Sequence, residues 1–391
     1  MQTSVNISSE ILNWVIAHVQ MGSLSKQIVD YLNSWAKGEK KPTFNQVEKV
    51  SKATGIPLGY FFLESPPKED LSFVEYRTID SVQLENPSRN LIDVMHDMDL
   101  VQQWMHDYLV SEGASKVAYI GIFQKGTPYE VLAQKVRDLL SLPIEWYTHS
   151  KTAEDSFNAI RKSISNTGTV VMMSGIVGNN THRPLSIDEF RAFTIIDEYA
   201  PLIFINSNDS TNGKLFSLLH EFSHICIGEN SLFNDRYNDA QRVRTTETLC
   251  NAVAAEILVP QKIFVREWKK NIQENEQERV ISILARIFRC GTTVIARKAY
   301  DNGFIKYDLY QKVARLAVQL YNDRRRKQKD QGEGGGDYYR TAASRIDRRF
   351  FRLLVSSVHE GKTLYSDAFR LTNTNRSTFT NLVENVGGGE K

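Results

Sequence analysis

One pentad constrains this chain more than any other feature: His220-Glu221-Phe222-Ser223-His224, set in the apolar stretch LLHEFSHICIG. Residues four apart on an α-helix lie one turn apart on the same face, so the two imidazoles are placed to reach one ion. Glu221 projects beside them, where it can take a proton from a water held by that ion. The plain alternative is a pair of unrelated polar residues on a buried helical turn. The pattern points to a zinc hydrolase.

A catalytic zinc takes three protein ligands and keeps one position open. No third His follows at short spacing, so the third ligand is expected from another helix. Within RTTETLCNAVAAEILVP, Arg244 to Pro260, Glu247 and Asn251 fall one turn apart on one helix face. Glu247 can bind the metal while Asn251 accepts the second ring N–H of a ligand His. The small residues Ala252, Ala254 and Ala255 would let the two helices approach closely. Glu256 competes as the ligand and ranks second, because its apolar surroundings offer it no evident polar partner. His182 and Tyr199 are candidates for an oxyanion donor. Cys226 and Cys250, close in sequence to His224 and Glu247, could be redox-sensitive, with buried inert thiols as the plainer expectation.

A chain of 391 residues is too long for one ordinary core, and two to four domains are expected. The balance of 41% hydrophobic and 24% charged residues is globular, and no apolar run is long enough to cross a bilayer. The start of the chain shows no secretory pattern. Cys226, Cys250 and Cys290 are odd in number and widely spaced, which argues against a disulfide framework and for a reducing cytoplasm. A net charge of +2 leaves any nucleic-acid binding to local clusters.

Apolar residues at helical spacing, Ile11, Leu12, Val15, Ile16 and Val19, open a compact helical region over 9–67. In SWAKGEKKPTFNQVEKVSKATGIPLGYFF, Gly38 closes one helix and Thr43 caps the next. Only about a dozen residues separate Gly22 from Trp35, too few for two full helices and a turn. Pro66 and Pro67 end the module and open a linker. A long helix is expected over 88–110, striped with Leu91, Met95, Met98, Val101, Trp104, Met105 and Tyr108. From Lys116, strands at 117–123, 169–174, 192–197 and 202–206 alternate with helices at 128–140 and 153–165. That alternation implies an α+β domain whose sheet borders the metal helix.

Helix-turn-helix patterns recur at 282–304 and 368–386. The run Arg324, Arg325, Arg326, Lys327 and Lys329, with Gly332–Gly336 after it, reads as a linker or as a solvated basic helix end. Arg345, Arg348, Arg349 and Arg352 could form a phosphate-contacting stripe or ordinary surface charge.

Two resemblances rest on these phrases. The region 9–67 resembles a Cro/repressor-type helix-turn-helix module, degenerate because its recognition helix is shortened or absent. F-x-x-x-H-E-x-x-H at Phe216 to His224, followed by E-x-x-x-N-A-x-A-A-E-x-L-x-P at Glu247 to Pro260, resembles the ImmA/IrrE metallopeptidases. The preceding PLIFINSNDSTNGKLFSLLHEFSH is also like that family, and the resemblance spans about 192–260. Phe222-Ser223 is a departure, since many members place Gly before the second His.

The resemblance implies a gluzincin-like site, with His220, His224 and Glu247 on Zn2+ and Glu221 as general base. Asn251 stands behind the ligands. The expected fold is α+β, mostly helical, with a zincin-like peptidase core flanked by helical helix-turn-helix-like modules. Its divisions are 1–67, 68–114, 115–265, 266–330 and 331–391. The family's members further imply a cytoplasmic regulatory endopeptidase that cleaves a repressor-type DNA-binding partner in prophage, mobile-element, stress or defence control. One alternative is a DNA-binding transcription regulator or antitoxin-type protein with a structural or vestigial zinc site. Another is a scaffold that binds a partner without cleaving it.

Overall fold

The computed structural model describes residues 4–19, 21–67, 87–123, 126–228, 231–233, 245–330 and 338–387. Most of the expected linker after Pro67 and the Gly332–Gly336 stretch lie outside these residues.

The amino-terminal region is a small helical module. Ser8 caps α1 (Ser9–His18) by accepting from Ile11 N. After α2 (Lys26–Ala36), a capping box of Thr43 and Gln46 starts α3 (Phe44–Thr54). Between α1 and α2 the chain makes a three-residue 3-10 turn, Met21–Ser23, and no further helix, as the short spacing before Trp35 requires. Ile11, Val15, Leu32, Trp35, Val47, Val50 and Phe61 form the module's own core. Gly55 ends α3 in the left-handed region at φ 76°, with the Arg183 guanidinium packed against it. Arg183 also donates to Asn90 Oδ1 at 2.9 Å and pairs with Asp93 Oδ2 at 2.6 Å. One side chain thus ties the module to α4 (Arg89–Ser111), the long helix expected from the apolar stripe.

The central sheet has the order β1 (Val170–Ser174), β5 (Leu202–Asn206), β4 (Ala192–Ile195), β6 (Ser231–Phe233). β1 and β5 are parallel, and β4 is antiparallel to both its neighbours. A hairpin of β2 (Ile176–Val177) and β3 (Asn180–Pro184) carries Arg183. Strand alternation sends Val171, Ala192, Ile203 and Ile205 into one core and Val170, Met172, Phe193, Ile195, Leu202 and Phe204 into another. Both faces are covered, which is why these strands read as nearly continuous apolar runs.

The first core holds α5 (Tyr129–Leu139), α6 (Ala153–Asn166), α7 (Thr211–Ile227) and α8 (Thr245–Leu258). It continues through α9 (Gln261–Asn271), α10 (Gln277–Ile287) and α11 (Thr292–Asp301). One hydrophobic cluster runs from Tyr119 to Val313, so the helix-turn-helix pair α10–α11 shares the core of α7. The basic run at 324–329 continues α12 (Tyr307–Asp330). In the second core, α4 packs with α13 (Tyr338–Arg345), α14 (Arg348–His359), α15 (Tyr365–Leu371) and α16 (Arg376–Gly387). The fold is therefore α+β and mostly helical.

The carboxy-terminal helices also cover an open sheet edge. Among the described residues β1 is an edge strand, whose outward N–H and C=O groups lack ladder partners. Asp347 caps α14 by accepting from Phe350 N at 2.9 Å, and its other oxygen accepts from Val171 N at 3.3 Å. Arg161 donates to Val171 O at 2.9 Å and bridges to Ser344 O and Ile346 O at 2.6 and 3.2 Å. Two members of the arginine stripe make similar ties. Arg349 donates to Gly168 O at 2.9 Å and Arg345 to Asn179 Oδ1 at 3.1 Å, while Arg348 and Arg352 are exposed.

The strand expected at 117–123 is instead a run of turns. Val117 N donates to Glu198 O, but Phe123 N donates to Cys226 O at the end of α7, so no single neighbour offers a ladder. Between them Gly121 turns the chain at φ 67°, and Tyr119 is anchored through its hydroxyl to Thr169 Oγ1 at 2.8 Å.

Candidate metal centre

Ser210 caps α7, accepting from Gly213 N at 3.0 Å, and Gly228 ends it at φ 85°. Every residue from Ser217 to Cys226 is buried, so the pentad's polar side chains sit inside a helix that is enclosed all round. α8 packs against α7, with Val253 and Ala254 buried in the shared core. Ala252 and Ala255 are half-buried.

His220, His224 and Glu247 come together. His220 Nε2 lies 3.2 Å from Glu247 Oε2, His224 Nε2 lies 3.1 Å from Glu247 Oε1, and the two Nε2 atoms are 3.1 Å apart. Ligands held about 2.0–2.1 Å from a tetrahedral zinc stand about 3.3 Å from one another. The three donors therefore already have nearly the spacing that an ion would impose, and two imidazoles with one carboxylate form a donor set suited to zinc. Both imidazoles are buried, whereas the Glu247 side chain is 26% exposed, so the cluster opens on that side. Burial pushes the Glu247 carboxyl up, but hydrogen bonds and charge from His220 and His224 outweigh it and hold the group far below the usual carboxylate range.

Glu221 turns from the same helix toward the sheet. Its Oε2 accepts a hydrogen bond from Thr194 Oγ1 on β4, and both residues are fully buried. Sequence reasoning missed Thr194. The available signal was one polar side chain at an inward position of an otherwise apolar strand.

Glu256 is not near the ligands. Its carboxylate accepts from Gln261 N at 2.9 and 3.1 Å, at the start of α9, and pairs with Lys298 Nζ at 2.6 Å. The polar partner absent from its local sequence comes from α11. Asn251 is half-buried one turn after Glu247, and it makes no hydrogen bond to either imidazole among the described residues. Neither oxyanion candidate joins the cluster. His182 is exposed on β3, where it borders a crevice with residues of the amino-terminal module. Tyr199 packs edge-on against His106 at 5.2 Å, with the second core. Cys226 is buried, and burial raises its thiol pKa far above the ordinary value, which leaves it inert.

Among the described residues, a mixed sheet thus lies on a helix that carries two His and a Glu, with a carboxylate from the neighbouring helix beside the imidazoles. Residues 175–300 match the peptidase M78 family model, the IrrE N-terminal-like domain. This match supports the ImmA/IrrE family and a metallopeptidase activity. Residues 346–385 match a domain of unknown function, DUF8813, which here spans α14 to α16. No curated protein and no solved structure matches the chain.

Proposed function

We propose that the chain is a zinc-dependent endopeptidase with a regulatory target, a repressor-type DNA-binding protein. The observation that carries the reading is the convergence of His220, His224 and Glu247, with Glu221 on the same helix as both imidazoles. Those three side chains would hold the ion. When bound, zinc supplies a Lewis acid for the scissile carbonyl and for the attacking water. Glu221 takes the proton of that water and delivers it to the leaving amine. The partly exposed side of Glu247 gives substrate a way in, while the buried imidazoles keep the ligand geometry fixed.

The repressor-type target follows from the family resemblance, and the helical module over 9–67 offers a surface for a related helical partner. Three buried free cysteines fit a reducing compartment such as the cytoplasm, and no single helix among the described residues is long and apolar enough to cross a membrane. The test is incubation with purified small repressors of the helix-turn-helix type. Cleavage that stops with a chelator and returns with zinc supports the reading, and intact repressors under zinc-loaded conditions oppose it.

A DNA-binding reading rests on α15 and α16, two helices joined by a short turn, with Arg370 and Arg376 exposed. Phosphate binding would make DNA affinity fall steeply with salt, and a slope near zero would remove it.

A further inference from the structure

Thr194 is the only polar side chain that the strands β1, β4 and β5 turn toward α7 within the first core. Its neighbours on the β1, β4 and β5 part of that face are Val171, Ala192, Ile203 and Ile205, all in the hydrophobic cluster, and its cross-strand partners are Ile203 on β5 and Ser231 on β6. A valine would fill the same space, and a buried hydroxyl without a partner costs free energy. Packing against Val171, Ala192, Ile203 and Ile205 therefore gives no reason for threonine at this position. The reason lies across the interface, where Thr194 Oγ1 donates to Glu221 Oε2 and lies 3.4 Å from the Glu221 backbone oxygen. Glu221 is the one carboxylate on α7, and it too is fully buried.

We propose that Thr194 is a positioning residue for the general base. Its hydroxyl holds one carboxylate oxygen of Glu221 against the sheet and so fixes the direction in which the other oxygen works. This inference rests on the peptidase reading, in which Glu221 moves the proton. A glutamate has three side-chain torsions, and ordering them before substrate arrives removes that entropy from the reaction step. The strand is well suited to the role. β4 is paired on both sides, by β5 and β6, so the threonine is presented from a rigid element rather than from a loop. The metal ligands make no use of Thr194, so its loss should spare metal binding.

The experiment compares full-length wild type, Thr194→Val and Thr194→Ser for zinc per protein, melting temperature, kcat and KM on the cleaved partner. Thr194→Val keeps zinc at the wild-type ratio while kcat falls about tenfold to a hundredfold and KM stays within about twofold. Thr194→Ser restores kcat to within about threefold of wild type, because the hydroxyl returns. Wild-type kcat in Thr194→Val overturns the inference. So does a loss of kcat that tracks lost zinc or lost folded protein, because that makes Thr194 structural. Should Thr194→Val fail to fold, Thr194→Ala replaces it in the same comparison, and failure of both to fold also overturns the positioning role. A wild type that cleaves nothing sinks the peptidase reading itself, which separates the two failures.

Discussion

Lys298 Nζ lies 2.6 Å from Glu256 Oε2, with both side chains less than a tenth exposed. The pair joins α11 to the far end of the helix that supplies Glu247, and Lys298 also donates to Val259 O. Taking two charges out of water is costly, so such a pair is held together by its mutual attraction and by the extra bonds around it. Removing one partner leaves the other charge buried. Lys298→Met is therefore expected to destabilise the protein by about 3–5 kcal/mol, and the double variant with Glu256→Gln to recover much of that loss. Urea unfolding checks it. Folded protein carrying Glu256→Gln should still hold zinc, and loss of the metal there would return Glu256 to the ligand set.

Asp347 makes a second prediction possible, because one carboxylate serves two elements. Asp347→Ala removes the cap of α14 and leaves the Val171 N–H without its acceptor, for about 1–3 kcal/mol in all. Amide exchange at Val171 should accelerate beyond that of Ile203 on the neighbouring central strand. Uniform acceleration across the sheet would mean that Asp347 acts only on global stability.

The thiols give a pH test. Burial pushes the Cys290 thiol up to about 12, with Lys298 offsetting it only in part, and pushes Cys226 up as well. At pH 8 a thiol of that pKa is ionised in about one molecule in ten thousand, against roughly a quarter for an ordinary one. Neither Cys226 nor Cys290 should react with a disulfide reagent until the protein unfolds. The folded state holds these protons longer than the unfolded chain. Their contribution is therefore complete below about pH 8.5 and is lost as pH rises through the folded values. Rapid native-state labelling of either residue would contradict this burial.

Much of the centre could be read from the sequence because it is written at helical spacing. His220 and His224 are one turn apart on α7, and Glu247 stood out through its position beside small residues that let α8 approach. What stayed hidden depends on contacts between distant elements. Thr194 gains meaning only when β4 is laid on α7, and Lys298 reaches Glu256 across 42 positions. The misread strand at 117–123 had strand-like composition, yet its ends bond to two different elements. The arginines at 345 and 349 read as part of a phosphate-contacting stripe or as ordinary surface charge, but each donates to a backbone or side-chain oxygen in the loops around the sheet.

The most direct test of the account measures zinc content and partner cleavage together in wild type, Glu221→Gln and Glu247→Ala. Glu221→Gln should keep zinc at the wild-type ratio and lose cleavage by a factor of at least about a hundred, because the proton acceptor is gone while the ligands remain. Glu247→Ala should lose both metal and cleavage. Equal cleavage by wild type and Glu221→Gln, or full zinc occupancy in Glu247→Ala, would contradict the site described here.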